Sequence, residues 1–209
     1  MRDRHHISRW KHNYLIWGLK MCNVVCKVHY TVEGKENIPT GGQFLVVTNH
    51  LSKFDPMLTT IVLKDFKLAF ISKPENFKTP IAGHAIKMNH FIPIDRSNPM
   101  QGLAAITEAI DMVKNGGFSI GVCPEGTRNT TDEPMLPFHP GCFKIAMRTG
   151  IPVLMIALVG TEKIGPNAPK KRTDVKVKVL GTLDPKDFKN TVDLSEAART
   201  QILSALERN

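Results

Sequence analysis

The sequence lacks a long apolar run. A membrane-spanning helix needs about 20 consecutive apolar residues, and the longest apolar stretch of this 209-residue chain, 151–160, is short enough to form a buried strand. The chain also contains no internal repeat, low-complexity tract or linker. These absences predict a protein that does not cross a membrane, although it can lie on one. The 42% of apolar residues suffices for the core of a single domain.

Cysteine is scarce and forms no recognisable pattern. The four residues are Cys22, Cys26, Cys123 and Cys142, and no two of them make a CxxC pair. No histidine cluster has the spacing of zinc ligands, and no signal-peptide pattern precedes the cysteines. We therefore expect no metal site, and reduced thiols with structural roles in a cytosolic environment.

Acidic residues are too few to balance the basic ones. The chain has 19 Asp and Glu against 28 Lys and Arg, which gives a formal net charge of +9 at pH 7. A surface of this kind suits nucleic acid, anionic lipid or phosphorylated substrates as partners. Composition does not choose among these three, so the choice depends on the motifs.

Residues 7–24 have the pattern of an amphipathic helix. Trp10, Tyr14, Trp17 and Met21 recur at i, i+4, i+7 and i+11 and form one stripe, which contains both tryptophans of the chain. Basic residues surround this stripe: Arg2, Arg4, Arg9, Lys11 and Lys20. Trp and Tyr favour the membrane–water interface, but a helix packed on its own domain would show the same stripe. The pattern alone leaves both interpretations open.

Short apolar runs alternate with helical segments along the rest of the chain. The predicted strands are 26–33, 44–48, 67–72, 91–94, 118–123, 152–159 and 175–179, and the predicted helices are 56–63, 99–116, 141–148 and 194–207. In the helix 99–116 we expect Leu103, Ile106, Ile110 and Val113 to face the core. The alternation predicts an α/β fold, in which a mostly parallel central sheet is flanked by helices and preceded by the N-terminal amphipathic helix.

Residues 49–56, NHLSKFDP, contain the first candidate for catalysis. On one continuous helix, His50 and Asp55 would point about 140° apart and could not meet. If a turn lies between a strand and a helix that begins near Pro56, the chain can fold back and bring them together. The carboxylate would then fix the tautomer of the imidazole, leaving its other nitrogen free to take a proton from a hydroxyl. Asp-Pro is also an ordinary helix N-cap pair, and a single His near a strand end is more often structural, so the spacing alone leaves both roles open.

Residues 123–128, CPEGTR, follow the predicted strand 118–123, at the kind of strand end where open α/β sheets bind ligands. Arg128 offers a planar fork that suits phosphate, and Thr127 and the Gly126 amide add neutral donors. A plain surface turn, in which Glu125 pairs with Arg128, is the alternative.

Two further cations, Lys73 and Arg96, also follow strand ends. Each taken singly is most simply a solvated surface charge. Taken with Arg128 and the His50–Asp55 pair, they predict a phosphate-binding pocket beside a general base.

At these residues the sequence resembles a known family, the glycerolipid acyltransferases of the 1-acylglycerol-3-phosphate type. NHLSKFDP resembles their NHxSxxDP block, and CPEGTR resembles their FPEGTR block. The remaining similarities follow the family's order and lie in Lys73-Pro74-Glu75 with Gly83, in FIPIDR (91–96), in FHPGCFKIA (138–146) and in Ile151-Pro152-Val153. The resemblance covers roughly residues 30 to 160. One departure is Cys123, which stands where the family usually has Phe.

The resemblance implies an activity and roles for the matching residues. The protein would move a fatty acyl group from acyl-CoA or acyl-carrier protein to the sn-2 hydroxyl of 1-acyl-sn-glycerol-3-phosphate, giving phosphatidic acid for phospholipid biosynthesis, without metal or cofactor. His50 would be the general base and Asp55 its orienting partner. The acceptor's phosphate would be held by Lys73, Arg96, Glu125, Gly126, Thr127 and Arg128.

This interpretation divides the chain into a membrane-interface helix, 1–25, and an acyltransferase domain, 26–209. It predicts a peripheral protein without a transmembrane span, bound to an anionic surface at the cytoplasmic face of a membrane and not to nucleic acid. Three alternatives remain: another acceptor, such as glycerol-3-phosphate or another lysolipid; a thiol hydrolase with Cys123 as nucleophile and His50 as base; and a non-enzymatic lipid- or nucleic-acid-binding module.

Overall fold

A computed structural model of the protein describes residues 9–79, 82–95 and 98–207. Within these ranges the chain forms seven α-helices and seven strands. The helices are α1 (Arg9–Val25), α2 (Asp55–Val62), α3 (Ala82–Met88), α4 (Pro99–Gly116), α5 (Lys144–Thr149), α6 (Ile164–Asn167) and α7 (Thr191–Glu207). The strands are β1 (Val28–Glu33), β2 (Leu45–Thr48), β3 (Leu68–Ser72), β4 (Ile92–Pro93), β5 (Ser119–Val122), β6 (Val153–Val159) and β7 (Thr173–Leu183).

The strands form one sheet in the order β1-β7-β6-β2-β5-β3-β4. Neighbouring strands run parallel, except that β6 and β7 are antiparallel. Because β1 is parallel to β7, this edge pair runs opposite to the other five strands. The predicted fold, a mostly parallel sheet flanked by helices, is confirmed.

Strand β2 lies inside the sheet between β5 and β6, and its four residues are all buried. Leu45 and Val47 pack into the larger core with α4, α5 and α7, whereas Val46 faces the opposite side of the sheet. A strand buried on both faces reads as a continuous apolar run, as this one does. Since β2, β5 and β6 are parallel, their carboxyl ends meet at one edge of the sheet.

Helix α4 begins and ends where the sequence predicted, but one of the residues predicted to face the core lies outside it. The Asn98 side chain accepts hydrogen bonds from two backbone amides of the first turn, and Gly117 adopts a left-handed conformation at the C-cap. Three of the four predicted residues lie on the core side, since Val113 is buried and Ile106 and Ile110 pack against the core. The prediction for Leu103 was wrong, because Leu103 is 59% exposed and Ala105 lies on the core side. Residues two apart on a helix point about 200° away from each other, so Leu103 and Ala105 cannot share a face.

Helix α3 was not predicted from the sequence. It is only seven residues long, and its apolar residues are too few to show a helical period. At Gly83 a Cβ atom would lie 2.5 Å from the carbonyl oxygen of Phe77, so only glycine allows this close approach of the two backbones.

Helix α1 packs one face on the domain and leaves the other uncovered. Leu15 and Ile16 are buried, and the helix contacts α2. The predicted stripe lies on the outer side, with exposures of 63% for Trp10, 48% for Tyr14 and 59% for Trp17. In the part of the chain that the structure describes, no helix combines the length and the apolarity needed to cross a bilayer.

Candidate active site

The structure brings His50 and Asp55 together. His50 lies in the turn after β2, and Asp55 is the first residue of α2, with Pro56 next to it. The turn between them folds back, and the His50 Nδ1 atom lies 2.9 Å from the Asp55 Oδ2 atom. Asp55 is fully buried, while the side chain of His50 keeps 19% of its surface exposed. The pair therefore has a shielded orienting end and an accessible imidazole.

Asp55 is held by donors from two directions. Its Oδ2 atom also accepts hydrogen bonds from the backbone amides of Leu51 at 2.8 Å and Ser52 at 2.6 Å. Its Oδ1 atom accepts one from the Thr161 hydroxyl at 2.5 Å. These donors compensate the cost of burying a carboxylate and fix its orientation toward His50. The side chain points back into the turn, so Asp55 does not act as the N-cap of α2, where Phe54 stands without a side-chain cap.

The protonation of His50 depends on its neighbours. Burial of the ring acts against the charged form, but the hydrogen bonds to Asp55 and to Cys123, together with the negative charge of Asp55, outweigh it and place the pKa of His50 well above its usual value. Because Nδ1 faces Asp55, Nε2 is the nitrogen left to exchange a proton with a ligand. A His–Asp pair of this kind can serve as a general base once the imidazole has lost its proton.

Glu125 has a different role from the one predicted. Its carboxylate is nearly fully buried and accepts hydrogen bonds from the His50 amide at 2.5 Å and from the Leu136 amide at 2.9 Å. Burial raises the pKa of Glu125, and the two backbone donors act against that rise. With both oxygens bound to protein amides, Glu125 cannot hold a phosphate or pair with Arg128, and it instead positions the backbone of His50. The backbone of His50 is also held by Asn129, whose backbone N–H donates a hydrogen bond to the carbonyl of His50 at 2.7 Å.

Replacing Glu125 with Gln is expected to lower the free energy of unfolding by about 1–3 kcal/mol. The NH2 group of the Gln side chain would face the backbone N–H of either His50 or Leu136, and that buried N–H would lose its acceptor. Urea denaturation followed by circular dichroism measures the change. The matched control is Glu133→Gln, whose carboxylate lies in the exposed part of the same loop. Equal stability of the two variants would contradict the positioning role of Glu125.

Three of the other predicted phosphate ligands, Lys73, Thr127 and Arg128, have exposed side chains. Gly126 has a φ of 78° in the turn after β5, and the side chains of Thr127 and Arg128 are exposed immediately before Asn129, which contacts His50. Lys73 is exposed after β3, the strand next to β5. Arg96 lies outside the described residues. Thr127 and Arg128 thus directly precede the residue that contacts His50, and their exposed side chains can meet a ligand from solvent.

A largely apolar groove adjoins this turn. Its volume is about 420 Å³, and its walls come from β3, β5, α4 and neighbouring segments. The apolar lining includes Ile71, Ile94, Leu103, Ile106 and Val122. Cys123 connects the groove with the His–Asp pair, because it lines the groove and is one of the groups that raise the pKa of His50. An apolar cavity with a few polar groups at one end suits a ligand with an aliphatic chain.

Two residues of this site were not predicted from the sequence, for different reasons. Thr161 follows β6, and its position at a strand's carboxyl end was the available signal. Leu103 was assigned to the core because groove walls and cores share the same apolar composition. Among the described residues, no group of three or more His, Cys, Asp or Glu side chains is placed to hold a metal ion.

Known proteins share both the sequence and the fold. A family model described as Acyltransferase matches residues 29–159. The chloroplastic 1-acyl-sn-glycerol-3-phosphate acyltransferase BAT2 of Brassica napus is 37% identical over 136 residues, which cover 65% of this chain and 38% of that protein. A 1-acyl-sn-glycerol-3-phosphate acyltransferase of Chlamydomonas reinhardtii is 32% identical over 180 residues, which cover 84% of this chain and 52% of that protein. The chain thus spans about half of the length of these relatives or less.

A solved structure gives the same answer at the level of the fold. The crystal structure of PlsC from Thermotoga maritima, a 1-acyl-sn-glycerophosphate (LPA) acyltransferase, matches with a TM-score of 0.80 and 30% sequence identity, over the whole of this chain and 83% of that one. The family model covers more than half of the chain and includes both the turn from His50 to Asp55 and the turn from Cys123 to Arg128. The predicted resemblance is therefore confirmed, and this protein belongs to the acyltransferase family.

Proposed function

We propose that this protein transfers a fatty acyl group from an acyl thioester to the sn-2 hydroxyl of 1-acyl-sn-glycerol-3-phosphate. The observation that carries the proposal is the contact between His50 and Asp55, together with an apolar groove whose lining residue Cys123 acts on His50. The pair supplies a base for a hydroxyl, and the groove accommodates an aliphatic chain. The activity in the names of the relatives supports this acceptor.

In the proposed reaction, Nε2 of neutral His50 takes the proton of the acceptor hydroxyl while the oxygen attacks the thioester carbonyl. Asp55 stabilises the imidazolium that forms. The tetrahedral intermediate collapses, the carbon–sulfur bond breaks, and the departing thiolate takes the proton from His50. The products are phosphatidic acid and a free thiol, and His50 returns to its starting state. The reaction consumes no other reagent, and we propose that it needs no metal or cofactor.

The acceptor's phosphate is assigned to the cations at the strand ends. Arg128 and Thr127 are exposed beside the segment that contacts His50, and Lys73 follows the strand next to β5. A guanidinium binds a phosphate with two parallel hydrogen bonds, so Arg128 is the strongest of these candidates. Arg96 stays a predicted member of the same set.

Arg128→Ala is expected to raise the KM for lysophosphatidic acid about tenfold while kcat changes much less, because a charged hydrogen bond to phosphate is lost in both ground and transition states. Initial rates over a range of acceptor concentrations measure both constants. The matched control is Arg148→Ala, an exposed arginine at the end of α5. An unchanged KM in the Arg128 variant would place the phosphate elsewhere.

The activity is tested by thiol release from an acyl thioester. Release that depends on lysophosphatidic acid supports the transferase, and equal release without acceptor would instead indicate a hydrolase.

Parallel reactions with acyl-CoA and acyl-carrier protein identify the donor, and glycerol-3-phosphate in place of the lysolipid tests the other acceptor class. Cys123→Ser should retain transfer, because His50 and not the thiol activates the acceptor. A reaction with a metal chelator tests independence from metal.

We further propose that α1 binds an anionic membrane surface on the cytoplasmic side. The support is the uncovered aromatic stripe on a chain of net charge +9.

The double substitution Trp10→Ala and Trp17→Ala is expected to weaken binding to vesicles of phosphatidylglycerol and phosphatidylcholine at least tenfold, since the loss of each ring removes about 1.5–3 kcal/mol of apolar burial. Sedimentation with vesicles measures the binding. Met100→Ala, at an equally exposed apolar position on α4, is the control, and equal loss in both proteins would contradict the role of the stripe.

A further inference from the structure

The groove beside Cys123 has two chemically different parts. Most of its wall is apolar, but two basic side chains, His139 and Lys144, line the same cavity. Among the described residues of its lining, none is acidic. An apolar cavity with basic groups and no carboxylate is complementary to an amphiphile that carries a negative charge.

His139 is fixed close to the catalytic turn. Its amide donates a hydrogen bond to the carbonyl of Pro124 at 2.9 Å. Pro124 directly precedes Glu125, whose carboxylate binds the amide of His50. One peptide bond and two hydrogen bonds therefore connect His139 with the His–Asp pair.

Lys144 is held on the same short segment. It is the first residue of α5 and follows a 3-10 helix, Pro140–Phe143, in which Phe143 is fully buried in the core. The buried aromatic ring anchors the segment, while the side chains of His139 and Lys144 stay exposed toward the groove. The two groups are thus presented by a packed element, which is a requirement for a defined binding site.

We infer that His139 and Lys144 form an anion subsite that binds a phosphate group of the substrate whose apolar chain occupies the groove. This inference rests on the proposed acyl transfer. It adds a second group of phosphate-binding residues to Arg128 and Lys73, which follow strand ends and are not part of the groove lining. Lys144 supplies a permanent positive charge, and His139 supplies a ring N–H donor. The phosphate belongs either to the lysolipid acceptor or to coenzyme A.

The first test compares His139→Gln, Lys144→Gln and the double variant in steady-state acyl transfer. Each single change is expected to raise the KM for one substrate about tenfold, with kcat within about twofold of the parent protein. His139→Lys should restore the KM, because it returns a hydrogen-bond donor to the same place. Lys171→Gln, an exposed lysine outside the groove, is the matched control. An unchanged KM for both substrates in the folded double variant would overturn the subsite.

Substrate analogues identify which phosphate is bound. If the acceptor's phosphate is held, the variants and the parent protein will use monoacylglycerol equally poorly, and the KM for acyl-CoA will not change. If the donor's phosphate is held, the difference between the variants and the parent protein will disappear with an acyl-pantetheine donor. Either pattern supports the subsite and assigns its source.

A binding measurement separates the subsite from the proposed activity. Titration of the parent protein with inorganic phosphate, followed by NMR of the His139 ring, should give saturable binding that the Lys144→Gln variant weakens about tenfold. Binding that is equal in the two proteins would overturn the subsite even if acyl transfer is found. Absence of thiol release from the parent protein would instead reject the proposed function, whatever the phosphate titration gives.

Discussion

Replacing His50 with Ala is expected to lower the rate of acyl transfer by about a hundredfold or more, which is the scale of general-base catalysis. The imidazole is the titratable group held by Asp55 at the groove, and without it the acceptor hydroxyl must attack with its proton still in place. Thiol release with saturating lysophosphatidic acid measures kcat. Circular dichroism shows whether the variant is folded.

The chain contains a natural control for this experiment. His29 and Asp174 form a second His–Asp pair at 3.2 Å, but both side chains are exposed, by 57% and 68%. This pair lies on β1 and β7, separated from β2 by β6. His29→Ala is expected to leave kcat unchanged, and a His50 variant as active as the His29 variant would exclude His50 as the base.

Asp55→Asn is expected to lower kcat by about a hundredfold or more and to move the pH profile of activity to lower pH. The carboxylate raises the pKa of His50, and only the neutral imidazole accepts a proton. Activity of the parent protein should therefore rise with pH as His50 deprotonates. Removing the negative charge lowers the pKa of His50, so the rise begins at lower pH, while the lost stabilisation of the imidazolium lowers the plateau.

The measurement is kcat as a function of pH for both proteins. Asp174→Asn removes the carboxylate of the exposed pair and should change neither the plateau nor the position of the rise. A lower plateau without a shift would mean that Asp55 only supports the fold. This distinction matters because Asp55 also accepts hydrogen bonds from Leu51, Ser52 and Thr161.

Most of the fold could be predicted because local patterns carry it. The runs that became β2 and β6 are apolar except for Thr48, as expected of strands buried on both faces, and α4 has its cap residues at both ends. The failures occurred where the local signal is weak or ambiguous. Helix α3 is too short to show a period, and Leu103 is apolar but lines a groove in place of the core.

In the candidate site, too, contacts between residues close in sequence could be predicted, and contacts between distant residues could not. His50 and Asp55 are five residues apart, so turn chemistry was enough to predict their contact. Thr161 is 106 residues from Asp55 in sequence, and no local pattern links them. Glu125 was placed among the phosphate ligands by the family resemblance, whereas its partners in the structure are the backbone amides of His50 and Leu136, 75 and 11 residues away.

The sequence by itself determined the seven strands and the longer helices, the turn that joins His50 to Asp55, and the chemistry of the residues that follow β5. Only the tertiary structure decided that Thr161 and Glu125 support the pair, and that Leu103, His139 and Lys144 line one groove. The physical reason is the strand order, in which β5, β2 and β6 are neighbours although helices separate them along the chain. Parallel strands place their carboxyl ends at one edge, so residues far apart in sequence meet there.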